Sequence, residues 1–258
     1  MNAFPKSEPQ DLELIAALEE RLLHVWPAVT THMIDGWAVR FAGGYTGRAN
    51  SASAITRDAR VDEAFVAKII AMYANERLTP QFRVSPLAHL DTAHFLRQCG
   101  FFSRGLAHGM IADINAQHRR PDSRIRLSSQ ADISWCLEVT SRQDETKRNP
   151  VALHAIVSRI QVPARFATVV VDGEAVGFGI AAIDRGWMEL GSIVIDSRHR
   201  GKGLGRALVS TLLAWAADHN VDGAFLQVDV TNATALGLYR SLGFEVLYDY
   251  DTLFLPVR

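Results

Sequence analysis

Arg198-His199-Arg200-Gly201-Lys202-Gly203-Leu204-Gly205-Arg206 stands between an apolar strand-like stretch, Leu190 to Ile195, and a helix-like stretch, Ala207 to His219. A glycine-rich turn at a helix start lets backbone N–H groups approach a phosphate closely, and the helix N-terminus favours negative charge. The arginines and Lys202 around it add attraction for further phosphates. The run therefore predicts a site for a phosphate-bearing cofactor. Two other readings use the same residues: an ordinary helix entry with close-packing glycines, and a dinucleotide-binding turn. The dinucleotide fingerprint wants Gly-x-Gly-x-x-Gly early in the chain with an acidic residue about 20 positions on. Here the spacing is Gly-x-Gly-x-Gly and the run lies late, although Asp222 and Asp229 follow it.

The chain has 258 residues, enough for one large domain or two modest ones, and its formal net charge is −1. That balance offers no field for nucleic acid or an anionic membrane. No apolar run approaches the roughly 20 residues of a membrane span, and Met1 to Asp11 lacks the apolar centre of a secretion signal. A cytoplasmic location is expected. Cys99 and Cys136 read as buried thiols in a reducing compartment, and no His/Cys cluster has metal-ligand spacing, so no metal is expected.

Working outward, Asp11 to Val25 reads as an amphipathic helix, Gly36 to Phe41 and Ala49 to Ile55 as strands, and Asp58 to Arg77 as a helix. Phe82 to Val84 is a short strand, Leu90 to Gln98 a helix and Ala107 to Asp113 a strand. A polar, turn-rich stretch, Asn115 to Arg124, is the expected linker. Beyond it come strand Ile125 to Leu127, helices Asp132 to Val139 and Val151 to Ile160, and a hairpin turning at Asp172-Gly173. Strand Trp187 to Ile195, the glycine run and its helix follow, then strand Ala224 to Val230, helix Ala233 to Leu242 and strand Phe244 to Leu255. One pattern recurs: Phe95-Leu96-Arg97-Gln98-Cys99-Gly100-Phe101 before a strand, and Leu238-Tyr239-Arg240-Ser241-Leu242-Gly243-Phe244 before another. The repeat suggests two copies of one architecture.

Arg200-Gly201-Lys202-Gly203-Leu204-Gly205 resembles the Arg/Gln-x-x-Gly-x-Gly/Ala loop of the GNAT (GCN5-related) N-acetyltransferases. Asn232-x-x-Ala235-x-x-Leu238-Tyr239-x-x-x-Gly243-Phe244 is similar to the later helix of that family. The resemblance covers about Ile125 to Leu255. The first half looks like the degenerate module of bacterial two-module GNAT proteins, with Asp58-Ala59-Arg60-Val61 where the loop would stand. The resemblance implies an α+β (mixed α/β) fold, a central mixed sheet flanked by helices, in two tandem modules: a degenerate module over 1–118 and a catalytic one over 122–258.

It also implies acetyl-CoA as acyl donor to an amine of a small molecule or peptide, by direct attack in a ternary complex. The alternative is a non-catalytic acyl-CoA sensor or interaction module; a nucleotide oxidoreductase comes third. Oligomeric state is open between a monomer with pseudo-dimeric modules and a homodimer.

An amine is mostly protonated at neutral pH, so a base or water relay must take a proton before attack, and an acid should meet the departing thiolate. In the family an irregularity splays the strand before the loop, which implies Ile193, Val194 and Ile195 along the pantetheine arm. Backbone N–H groups of Gly201, Gly203, Leu204 and Gly205 would hold the pyrophosphate, assisted by Arg200 and Lys202, with Arg198 or Arg206 reaching the 3′-phosphate. Asn232 caps its helix and contacts the cofactor in the family. Tyr239 is the candidate acid, against a reading as a packed helix tyrosine. Glu189 is the candidate base, eleven residues before Arg200, and strand alternation places it on the face of Gly191, Ile193 and Ile195. Burial would raise its pKa towards neutrality. Asp229 and His154 are the alternatives. Arg40, Tyr45, Arg48, Asn50 and Ser51 form a polar set in the first half that could hold an acceptor carboxylate or be a surface turn.

Overall fold

The computed structural model describes residues 9–114, 121–143 and 148–256, so most of the expected linker, at 115–120, lies outside the described residues. The chain forms two compact units. The first takes Met1–Gly109, Asp229–Thr231 and Val246–Arg258; the second takes Met110–Val228 and Asn232–Glu245. The boundary expected between 118 and 122 would place the last strand in the second module. Instead that strand groups with the first unit, because its backbone pairs there.

In the first unit, α1 (Pro9–Val25) precedes the hairpin β1 (Thr30–Ile34) and β2 (Trp37–Phe41). Then come β3 (Ala52–Ala54), α2 (Glu63–Asn75), β4 (Gln81–Val84), α3 (Thr92–Gln98) and β5 (Phe102–Asp113), which belongs to this unit as far as 109. β11 (Glu245–Phe254) pairs antiparallel with β4, Leu253 against Phe82, giving the order β1-β2-β3-β4-β11. β1 was not expected. Its side chains are almost all exposed, so it shows no apolar alternation, yet Asp35-Gly36 marks the turn. Both residues have positive φ (48° and 82°), as a two-residue hairpin turn requires. α2 starts later than its expected Asp58, since Asp62 is the residue that caps it, accepting from the Phe65 N–H at 2.7 Å.

Alternation along the strands sorts this unit's residues between two faces. Trp37, Val39, Phe41, Ala52, Ala54, Phe82 and Val84 pack with Phe65, Val66, Ile69 and Tyr73 of α2. The opposite face carries Arg40, Ser53 and Arg83, all buried, and meets α1. There Arg83 forms a two-pronged pair with Glu19, 2.8 Å on one prong, and Tyr248 donates to the same carboxylate. The Arg83 guanidinium also lies 3.8 Å from the Tyr250 ring centroid. Arg40 donates to the Trp26 carbonyl; burial and the like charge of Arg83 pull its guanidinium down to about 9. Breaking a buried ion pair strands the remaining charge. Glu19→Ala should therefore destabilise the chain by roughly 3–5 kcal/mol, and Glu19→Met/Arg83→Met should lose less, as read by urea denaturation.

The second unit begins with β6 (Ile125–Ser128), α4 (Ile133–Ser141) and α5 (Pro150–Val157), followed by β7 (Ala164–Val171), β8 (Glu174–Asp184) and β9 (Trp187–Ile195). α6 (Leu204–Ala217), β10 (Gly223–Asp229) and α7 (Ala233–Arg240) complete it. Its strands run β6-β7-β8-β9 antiparallel, and β10 lies parallel to β9. One face packs Met188, Leu190, Ala224 and Leu226 with Leu208, Leu212 and Leu213 of α6. On the other, Trp135 of α4 stands edge-on to Phe166 and Phe178. Cys136 is buried there, and desolvation pushes its thiol up to about 12. A thiol reagent at mild alkaline pH should leave Cys136 unmodified until denaturant is added.

The repeated Gly-Phe element has one geometry in both units. Phe101 N–H bonds the Leu96 carbonyl, and Phe244 N–H bonds that of Tyr239, both at 3.0 Å. Gly100 and Gly243 supply the left-handed residue in between (φ 89° and 88°). Leu96 thus occupies in the first unit the place that Tyr239 occupies in the second.

Candidate functional site

β9 carries the irregularity on which the site depends. Ile180 pairs with Gly191 and Phe178 with Val194, so Ser192 and Ile193 together oppose the single residue Gly179. Ser192 adopts φ 53°. Such a bulge adds one residue, takes it out of the ladder and reverses the alternation beyond it. Glu189, paired with Ala182, therefore shares its face with Gly191 and Val194. Ile193 and Ile195 fall on the α6 side with Met188 and Leu190, where Ile193 and Ile195 pack against the core. This corrects the expected placement of Glu189 with Ile193 and Ile195: simple alternation does not survive the bulge.

The partner on the other side also lets go. β10 pairs with β9 only from Trp187↔Gly223 to Leu190↔Leu226. Beyond that point a cleft of about 330 Å³ opens, lined by Ile193, Val194 and Ile195, by the loop, and by one side of α7. It gathers Arg200, Gly201, Gly203, Leu204 and Gly205 from the loop and the start of α6, and Asn232 and Tyr239 from α7 and its cap.

The loop's backbone explains its residue types. Gly201 and Gly203 have φ 75° and 74°, and a Cβ on either would meet nothing within 4 Å. The space above them is open to a ligand. α6 begins at Gly203 with no side-chain cap, so the N–H groups of its first turn lack a side-chain acceptor. Gly205 differs: a Cβ there would lie 3.4 Å from Leu238 Cδ2, so this glycine sets the approach of α6 to α7. Uncapped N–H groups, open space and apolar walls fit a phosphate with an extended arm.

Other expected residues are placed differently. Lys202 and Arg206 do not line the cleft; Arg206 donates to the Ser241 Oγ at 2.5 Å and ties α6 to the end of α7. Arg198 is bound through two nitrogens to Asp196 (3.2 and 3.1 Å), whose carboxyl is held well below its ordinary range by those hydrogen bonds. Arg200 lines the cleft and donates from Nε to the Ile195 carbonyl. Asn232 caps α7, accepting from the Ala235 N–H at 3.1 Å. Tyr239 is buried, its ring 5.8 Å from that of Phe244.

Glu189 has no exposed surface and is not part of the cleft lining. Asp229 accepts from the Thr231 N–H and hydroxyl, a local turn, and His154 lines a separate cleft with Asp132 and Ser158. Sequence reading missed His199, Thr234, Ala235 and Leu238 in the lining. Ala235, Leu238 and Tyr239 follow helical spacing of three and four, a signal that was available. In the first-unit set, Asn50 accepts from the Ala42 and Gly44 N–H groups and Arg48 lies over Trp26. These residues hold their own loop.

A cleft of about 540 Å³ also lies at the start of α2 in the first unit, lined by Asp35, Arg60, Asp62 and Lys68, but its backbone is engaged differently. A β-bridge joins Ala59 to Ala88, with His89 N–H on the Ala59 carbonyl at 2.8 Å, and the Asp62 carboxylate already caps α2. Among the described residues no group of His, Cys, Asp or Glu is placed to hold a metal ion, and no helix is long and apolar enough to cross a membrane.

Residues 13–251 match the family model described as probable histone acetyltransferase Rv0428c C-terminal. The chain belongs to this acetyltransferase family. A relative, the uncharacterized N-acetyltransferase YobR of Bacillus subtilis, is 23% identical over 92% of this chain and 96% of its own length. The human N-acetylaspartate synthetase is 36% identical over 93 residues, 35% of this chain and 31% of that protein. Among solved structures, a GCN5-related N-acetyltransferase from Kribbella flavida superposes with TM-score 0.69 at 16% identity, covering 94% of this chain and 96% of that one. A tandem GNAT protein from the clavulanic acid biosynthesis pathway gives 0.62 at 15% identity, covering 86% and 79%. This GNAT-type N-acetyltransferase thus has a mixed α/β architecture shared with a tandem member of the fold.

Proposed function

We propose that this GNAT acetyltransferase moves an acetyl group from acetyl-CoA to the amine of a small molecule or peptide, by direct attack in a ternary complex, and that the second unit carries the donor site. The observation that supports this best is the meeting of the uncapped α6 N-terminus with Tyr239 in one cleft. Acetyl-CoA supplies an activated acyl group as a thioester. Gly201, Gly203, Leu204 and Gly205 offer backbone N–H groups to its pyrophosphate, with Arg200 beside them, and Ile193, Val194 and Ile195 flank its arm. Asn232 orders the start of α7, and Lys202 and Arg206 add positive charge around the loop.

Tyr239 gives its phenol proton to the leaving sulfur. Glu189 takes the proton from the attacking amine through ordered water, because its side chain is fully buried. The family description names histones, but a net charge of −1 supplies no general field for a basic tail. Release of CoA thiol should therefore be measured against amino acids, polyamines, peptides and a histone-tail peptide, beside donor binding by calorimetry. Thiol release above the acceptor-free background supports the reading. Tight donor binding with no release across the panel would replace it with a sensor.

A further inference from the structure

The edge of the first unit's sheet is open. Among the described residues β1 pairs only with β2, in the register Thr30↔Phe41, His32↔Val39 and Ile34↔Trp37. Because a two-residue turn closes this hairpin at Ile34 and Trp37, the ladder bonds fall at Ile34, His32 and Thr30. The N–H and C=O groups of Thr31 and Met33 then point outward. Soluble proteins usually blunt such an edge with lysine, proline, a bulge or a covering segment. Thr30-Thr31-His32-Met33-Ile34 has no lysine, no proline and an unbroken register, and its first four side chains are exposed, Met33 at 60%. Threonine and isoleucine favour extended backbone.

We propose that β1 is a self-association edge whose occupant is β1 of a second copy of this chain. The strand's own hydrogen-bond phase fixes the register. A two-fold axis at His32 sets Thr31 against Met33 of the other copy twice, joining all the outward groups, and sets Thr30 against Ile34. An axis at Met33 would bring the turn residue Asp35, with φ 48°, into the ladder, and an axis at Thr31 would leave Ile34 beyond its end. Pairing about His32 leaves no like charges apposed, since Asp35 then meets Val29. The two His32 side chains face each other in a non-hydrogen-bonded pair, with Cβ atoms about 4.5–5.5 Å apart. Five residues per strand bury less than the roughly 1,000 Å² of a stable interface, so the dimer is weak and concentration-dependent.

Sedimentation velocity over a concentration series should show monomer giving way to dimer. His32→Glu and His32→Lys should each remain monomeric, through like charges at the axis, and an equimolar mixture should recover the dimer. Thr31→Pro removes an outward N–H without touching the hairpin ladder and should also be monomeric, with circular dichroism confirming the fold. A wild-type chain that stays monomeric throughout overturns the proposal. So do single variants that dimerise like wild type, or variants whose mixture fails to associate.

Discussion

Tyr239→Phe should reduce kcat by about 10²–10⁴-fold, the range for loss of a positioned general acid, while the dissociation constant for CoA stays close to that of the wild type. The substitution removes one oxygen and keeps the ring against Phe244, so the helix end and its bond from Phe244 N–H stay in place. A packing role would predict the reverse: intact turnover with the phenylalanine, and damage only from a smaller residue. The first unit supplies a natural comparison, since Leu96 fills the same helix position with a fully buried aliphatic side chain. Stopped-flow thiol release with saturating donor separates the two cases, and an unchanged kcat removes Tyr239 from the chemistry.

Gly203→Asp should weaken donor binding on the order of 100-fold, the worth of one or two charge-assisted hydrogen bonds. The new carboxylate would put a negative charge at the uncapped start of α6, where it repels a phosphate. Gly203→Ala is the control. Its Cβ meets nothing within 4 Å, and the positive φ costs roughly 1–2 kcal/mol of backbone strain without adding charge. Calorimetric titration with CoA should show the alanine variant within about tenfold of wild type, since it keeps the N–H donors. Equal losses in both variants would mean that backbone geometry, not an open helix terminus, governs the site.

How far the sequence reaches depends on whether a residue's role is local. The Gly-rich turn, the Asp172-Gly173 hairpin and the two Gly-Phe helix ends are all set by a few neighbouring residues with special φ, and each was legible. Strand β9 was placed at its observed bounds, Trp187 to Ile195, and the family resemblance implied an irregularity in it, yet neither its position at Ser192 nor its effect on the alternation was legible. A bulge is a relation between two strands, and nothing in Gly191-Ser192-Ile193 alone reports what Gly179 opposes. That one extra residue misplaced Glu189 relative to Ile193 and Ile195. β1 escaped for the opposite reason: an exposed edge strand has no buried face to impose a pattern. Arg198 and Arg206 looked like phosphate ligands because composition cannot show that Asp196 and Ser241 already engage them.

The membership of β11 in the first unit has a consequence for how the chain is made. Tyr248 holds Glu19, Leu253 sits against Phe82, and both belong to the core built around Trp37 and Ile69. Ribosomal synthesis delivers residue 109 well before residue 246. At about 5–20 residues per second the 137 intervening residues take roughly 7–27 s. Through that interval Phe82 can pack on Trp37, Phe65 and Phe101, but β4 lacks its β11 neighbour and Glu19 lacks the Tyr248 hydroxyl. The first unit cannot reach its full set of native contacts before residues 246 onward are made. The first unit's sheet is completed by the tail, after the residues of the second unit have been made.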